Sequence, residues 1–176
     1  MHVTFTRLTG DRYGVDVIRA SGPPARLRAS PRHREQLPAA IAHLVVEREF
    51  GLRLGMFGQL AAGGDAGSFW SAPADRDTRL ANRAHRLQIT GRGDLGRSVA
   101  LVALCTATWE LESGRRATPL EGPWPLFDAA AVPGRAVATA VRLFGEIAAQ
   151  WSVLGVREQV AFDWPAALTL TGRRSA

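Results

Sequence analysis

The chain opens on strict alternation. From Val3 to Leu8 and again from Tyr13 to Arg19, polar and apolar residues exchange at nearly every step, with β-branched and aromatic side chains dominating. A period of two sends successive side chains to opposite faces, as in a strand with one face buried. Thr9-Gly10-Asp11-Arg12 separates the two runs with turn-forming residues, so together they predict a β-hairpin. Arg26-Leu27-Arg28 predicts a short third strand before the break at Pro31. The period then changes. Pro38 suits a first helical turn, and Ile41, Leu44, Val45 and Arg48 follow one stripe as far as Phe50, with Gly51 as the stop. Leu52 to Trp70 mixes glycine and alanine with Leu54, Met56, Phe57, Leu60 and Phe69, which predicts a short helix followed by a close-packed loop.

Asp75 to Leu87 reads as a charged helix, and Asp94 as the cap of the next, running from Leu95 to Leu111. That second helix is apolar nearly all round, through Val99, Leu101, Val102, Leu104, Cys105 and Trp109, and is expected at the centre of the core. Glu112 to Gly134 is rich in Pro and Gly and predicts a long ordered loop pinned by Trp124 and Phe127. Ala136 to Trp151 carries the clearest helical signal. Val137, Ala140, Val141, Phe144, Ile147, Ala148 and Trp151 share one face, while Arg135, Arg142, Glu146 and Gln150 take the other. Val156 to Trp164 alternates again and predicts a strand able to join the N-terminal hairpin. Strands at both ends with helices between predict an α+β fold: a small antiparallel sheet covered on one face by about four helices. Residues 1–172 read as one globular domain and 173–176 as a short flexible tail.

Composition narrows the chemistry. All 22 basic residues are arginine, for a net charge of +6. Without lysine there is no Schiff base for pyridoxal phosphate, no P-loop lysine and no kinase-type lysine–glutamate pair. Abundant Arg, Ala, Gly and Pro point to a GC-rich, actinobacterial genome, in which codon usage alone can favour arginine. Cys105 is the single cysteine, which excludes an internal disulfide and a Cys-x-x-Cys site; its apolar neighbours make it a core residue. Met1 to Tyr13 lacks the apolar run of a signal peptide, and no stretch reaches the length of a membrane span. The expectation is a soluble, cytoplasmic protein that takes no cofactor.

Leu37-Pro38, His43 and Glu47 on the following helix, Gly51-Leu52, and the Trp164-Pro165 ending resemble a pattern in a loose group of functionally uncharacterised actinobacterial proteins. The likeness covers the first third of the chain and the last strand. Members of that group carry Leu-Pro-His-Asp ahead of the helical His and Glu, where this chain has Ala39 and Ala40. The resemblance implies a shared fold and no particular reaction. If the His-Asp pair serves metal or substrate in the relatives, that function is lost here.

Three constellations bear on function. His43 and Glu47 lie four residues apart and share a helix face, the arrangement of two metal ligands or of a base oriented by a carboxylate. A metal would need a third ligand, and His33 and His85 are the other internal histidines. Gly91-x-Gly93-x-x-Gly96 matches the dinucleotide fingerprint in letters, but His85 to Thr90 ahead of it is too polar for the buried strand that the motif requires. The glycines are read as fortuitous, although a helix start flanked by Arg92 and Arg97 could hold a phosphate. Arg76, Arg79, Arg83 and Arg86 line one face of a helix and could follow a phosphate backbone, as could the cluster Arg26, Arg28, Arg32 and Arg34. By subtraction the sequence favours a non-catalytic accessory or protein-interaction domain, with an unidentified protein partner or self-association. The alternatives are a polyanion binder using Arg76, Arg79, Arg83 and Arg86, which would bind nucleic acid weakly, and a metal-dependent or acid–base enzyme using His43 and Glu47. No membrane partner is expected.

Overall fold

A computed structural model describes residues 1–20, 22–29, 31, 37–71, 78–118 and 132–170, with residues 70 and 71 described by their backbone alone. The alternating N-terminus forms β1 (His2–Leu8) and β2 (Arg12–Ile18), antiparallel, with Val3 opposite Val17 and Phe5 opposite Val15. Between them Gly10 and Asp11 take φ values of 66° and 53°, the left-handed region that Gly enters freely and Asp tolerates. β3 (Ala25–Leu27) pairs with β2. β4 (Phe69–Ser71) pairs with β3, and β5 (Gln159–Asp163) returns to the free edge of β1, placing Val160 opposite Phe5. The sheet order is β4-β3-β2-β1-β5, antiparallel throughout.

Period-two alternation puts Val3, Phe5, Tyr13, Val15, Val17 and Val160 on one buried face. Among the described residues five α-helices accompany the sheet: α1 (Ala39–Glu49), α2 (Met56–Ala61), α3 (Thr78–Thr90), α4 (Arg92–Glu112) and α5 (Gly134–Ser152). Aromatic contacts join the layers. Phe57 of α2 lies 6.3 Å from Phe5 and 6.2 Å from Phe69, and Trp151 of α5 meets Tyr13 edge-on at 6.4 Å. The fold is therefore α+β, as the pattern predicts.

Several details differ from the pattern. The segment read as a helix and loop ends in a strand, because Phe69–Ser71 finds an open edge on β3. α4 is not the central helix. That place belongs to α1, flanked by α2, α4 and α5, with Ile41, Leu44, Val45 and Val46 at most 2% exposed. α4 buries Ser98, Leu101, Cys105 and Trp109 on one side and leaves Val99 53% exposed on the other. Ala100 and Ala107, toward the opposite side, are buried as well, so what stays open is a strip around Val99 and Ala103. α3 runs on to Thr90 and α4 begins at Arg92, with Asp94 inside its first turn instead of at the cap. The expected anchors Trp124 and Phe127, the tail 173–176 and the start of α3 at Asp75 lie outside the described residues.

Several arginines serve the fold through backbone carbonyls. Arg7 Nη1 donates to the oxygens of Trp151, Ser152 and Leu154 at 3.3, 3.3 and 2.7 Å, which satisfies the C-terminus of α5 and complements its dipole. Arg28 donates to Phe69 O at 3.1 Å, and Arg19 to Gly64 O at 2.7 Å.

Candidate functional site

His43 and Glu47 do share a face of α1, and that face looks toward α4 and the start of α2. What joins them is Ser98 of α4. Its Oγ donates to Glu47 Oε1 at 2.9 Å and lies 2.9 Å from His43 Nδ1. Glu47 is fully buried. Its Oε1 also accepts from the backbone N–H of Met56 at 2.7 Å, while Oε2 accepts from Phe57 at 2.8 Å and Gly58 at 3.4 Å. The carboxylate thus does for α2 what an N-cap side chain does, from a neighbouring helix. Position 55 must be glycine for this, since a Cβ there would run into the Glu47 carboxyl.

Burial decides the protonation of this cluster. It pushes Glu47 up to about 7 against the pull of its four donors, and pushes His43 down to about 4. Both are therefore neutral over a broad acidic range. In a nucleophile relay the imidazole stands between hydroxyl and carboxylate, taking the hydroxyl's proton. Here the hydroxyl stands in the middle, and the carboxylate is held by the backbone of α2. Among the described residues no group of three or more His, Cys, Asp or Glu side chains gathers as a metal would require. His33 lies outside the described residues, and His85 lines a separate cleft on α3. Cys105 is buried, its thiol pushed up to about 12.

The second feature is the elbow between α3 and α4. Gly91 makes the turn because nothing larger fits: a Cβ there would lie 2.6 Å from Leu54 O and 2.8 Å from Gln59 Nε2. Gly93 and Gly96 follow inside α4, where a Cβ would meet open space. A helix, not a strand, precedes the three glycines, so the geometry of a dinucleotide fingerprint is absent. In the crook of the elbow a cleft of about 310 Å³ is lined by Gln59, Gly67, His85, Gln88, Arg92 and Leu95.

Of the arginine stripe, Arg76 lies outside the described residues, as do Arg32 and Arg34 of the second cluster. Arg79 and Arg86 are exposed on α3. Arg83 turns inward to donate from Nε to Ala62 O at 2.8 Å, holding α3 against the end of α2. Arg26 pairs with Asp16 at 2.6 Å.

The third feature is the outward face of α4. Helical spacing places Arg92, Gly96, Val99, Ala103, Thr106 and Glu110 on one stripe, with Arg92, Val99 and Ala103 exposed. From Ser98 to Trp109 no residue is charged. Ser98 and Gln59 are the residues that sequence reasoning missed. Ser98 had one signal, a hydroxyl in the buried stripe of Leu101, Cys105 and Trp109.

Comparison of the chain with protein-family models, with curated proteins and with solved structures found no match in any of the three.

Proposed function

We propose that this chain is a non-catalytic protein-interaction domain that pairs with a second copy of itself through the outward face of α4. The observation that carries this reading is Val99, 53% exposed at the middle of a helix face that stays uncharged for three turns. An exposed apolar side chain set in an uncharged helix face gives a partner surface to bury. The choice of a second copy rests on size complementarity along the stripe. In an antiparallel pairing centred on Leu101, Val99 of one copy faces Ala103 of the other, and Gly96 faces Thr106. Large opposes small.

The non-catalytic half of the proposal is supported by Glu47. An acid or base must reach a substrate, and both oxygens of this carboxylate are held by the N-terminus of α2 and by Ser98. The polyanion alternative draws on fewer side chains than the sequence suggests, because Arg83 is partly engaged in holding α3 in place.

One helix face per copy is small beside the roughly 1,200–2,000 Å² of a standard interface, so affinity in the micromolar range is expected. Sedimentation velocity over a concentration series tests this. The wild type should shift from monomer to dimer, and Val99→Asp should stay monomeric with its melting temperature unchanged. A wild type that stays monomeric at high concentration, as it would if this face were already covered within the chain, contradicts the proposal.

A further inference from the structure

The cleft in the α3–α4 elbow has chemistry that the fold does not use. Gln59 is fully buried and is among the residues that line it. The orientation of its amide is fixed: Nε2 donates to Leu54 O at 3.0 Å, so the opposite atom is the carbonyl oxygen. That Oε1 has no hydrogen-bond partner among the described residues. An unpaired buried acceptor is costly, and buried polar atoms in folded proteins are as a rule hydrogen-bonded. Around the mouth stand His85 and Arg92, both exposed, the latter in the first turn of α4 where the helix dipole favours negative charge. The neighbouring carboxylate, Asp65, is already engaged by Gln88 Nε2 at 2.8 Å and the Gly67 N–H at 3.0 Å. At about 310 Å³ the cleft is a small-molecule volume, near the lower end for ligand pockets.

We propose that this cleft binds a small hydroxylated oxyanion, a molecule with a phosphate or carboxylate group at Arg92 and His85 and a hydroxyl group donating to Gln59 Oε1. The two ends are complementary to different parts of one ligand. The Arg92 guanidinium recognises the charge, and the buried acceptor selects for a donor beside it. A bare anion satisfies only the first. The site is separate from the pairing of α4, whose centre at Val99 and Ala103 lies farther along the helix, so the two proposals stand or fall independently.

The test uses the full chain and three probes: glycerol 3-phosphate, inorganic phosphate and glycerol. Affinities are measured by calorimetry, and the Gln59 side-chain amide is followed by NMR. Glycerol 3-phosphate should bind about tenfold more tightly than inorganic phosphate, the worth of one added hydrogen bond, and should shift the Gln59 resonances. His85→Ala and Arg92→Ala, both at exposed positions, should weaken binding of both phosphates without lowering the melting temperature. Gln59→Leu should bring glycerol 3-phosphate down to the affinity of inorganic phosphate. If that variant does not fold, the comparison of the two phosphates on wild type decides. Binding of neither phosphate overturns the proposal, and so does equal binding of both with the Gln59 resonances unmoved.

Discussion

Ser98 Oγ donates to Glu47 Oε1 at 2.9 Å, tying α4 to α1 across 51 positions of sequence. With the three backbone N–H groups of α2, it makes one carboxylate the meeting point of three helices. Glu47→Ala leaves the Met56 and Phe57 N–H groups unpaired in the interior and Ser98 with His43 alone as partner, and a loss of about 3–5 kcal/mol is expected in urea unfolding. Ser98→Ala removes one donor and leaves the α2 contacts in place, for a loss of about 1–2 kcal/mol. Equal losses in the two variants would mean that α2 does not depend on the carboxylate.

The pH dependence of stability follows from the same cluster. In the unfolded chain Glu47 titrates near 4.5 and His43 near 6.5; in the folded chain burial moves them to about 7 and about 4. A raised carboxyl alone makes stability fall as pH climbs from 4.5 through 7, and a depressed imidazole alone makes it rise as pH climbs from 4 through 6.5. Over the shared window folding moves one proton from His43 to Glu47, and the two slopes cancel. Relative to wild type, Glu47→Gln should then gain stability with rising pH, by up to about 1.4 kcal/mol per unit, and His43→Gln should lose it. Urea midpoints across the window read the difference, and slopes of the same sign in both variants would refute it.

The direction of the hydrogen-bond chain should reverse near neutrality. With Glu47 ionised, Ser98 donates to it, so His43 must donate from Nδ1 and its other nitrogen carries no proton. With Glu47 protonated, its hydroxyl donates to Ser98, Ser98 donates to Nδ1, and the imidazole proton moves to Nε2. Nitrogen-15 shifts of His43 should show this exchange of tautomers around pH 7, where the carboxyl titrates. A single tautomer on both sides would contradict it.

The glycines of the elbow should separate by geometry. Gly91→Ala forces a Cβ to within 2.6 Å of Leu54 O and 2.8 Å of Gln59 Nε2, for a loss of about 1–3 kcal/mol. Gly93→Ala adds a methyl group in open space inside a helix and should stabilise the protein by about 0.5–1 kcal/mol. Thermal unfolding of the two variants distinguishes this reading from one in which both glycines serve a bound phosphate.

Alternation and helical spacing are local signals, and they revealed the elements that rest on them. The hairpin, α5 and β5 follow from the sequence because each has one buried face with an uninterrupted period. β4 did not follow, since three residues hold no period and their strand character comes from the edge of β3. The centrality of α1 was hidden for a related reason: α4 has more apolar residues, but burial depends on how many neighbours a helix has, which no local pattern records. His43 and Glu47 were legible as a pair from their spacing. Their connection through Ser98, and the commitment of Glu47 to α2, depend on contacts between distant segments. The same holds for Gln59, whose unpaired oxygen is visible only once Leu54 and Gly91 are in place.

The proposed pairing of α4 has a specific register, and cysteine cross-linking tests it most directly. An antiparallel pair centred on Leu101 sets residue 99 of one copy against residue 103 of the other, and neither position against itself. A mixture of the Val99→Cys and Ala103→Cys variants should therefore form a disulfide-linked heterodimer under mild oxidation faster than either variant links to itself, with Cys105 protected by burial. Faster self-linking of either variant, or no linking in the mixture, would contradict the account.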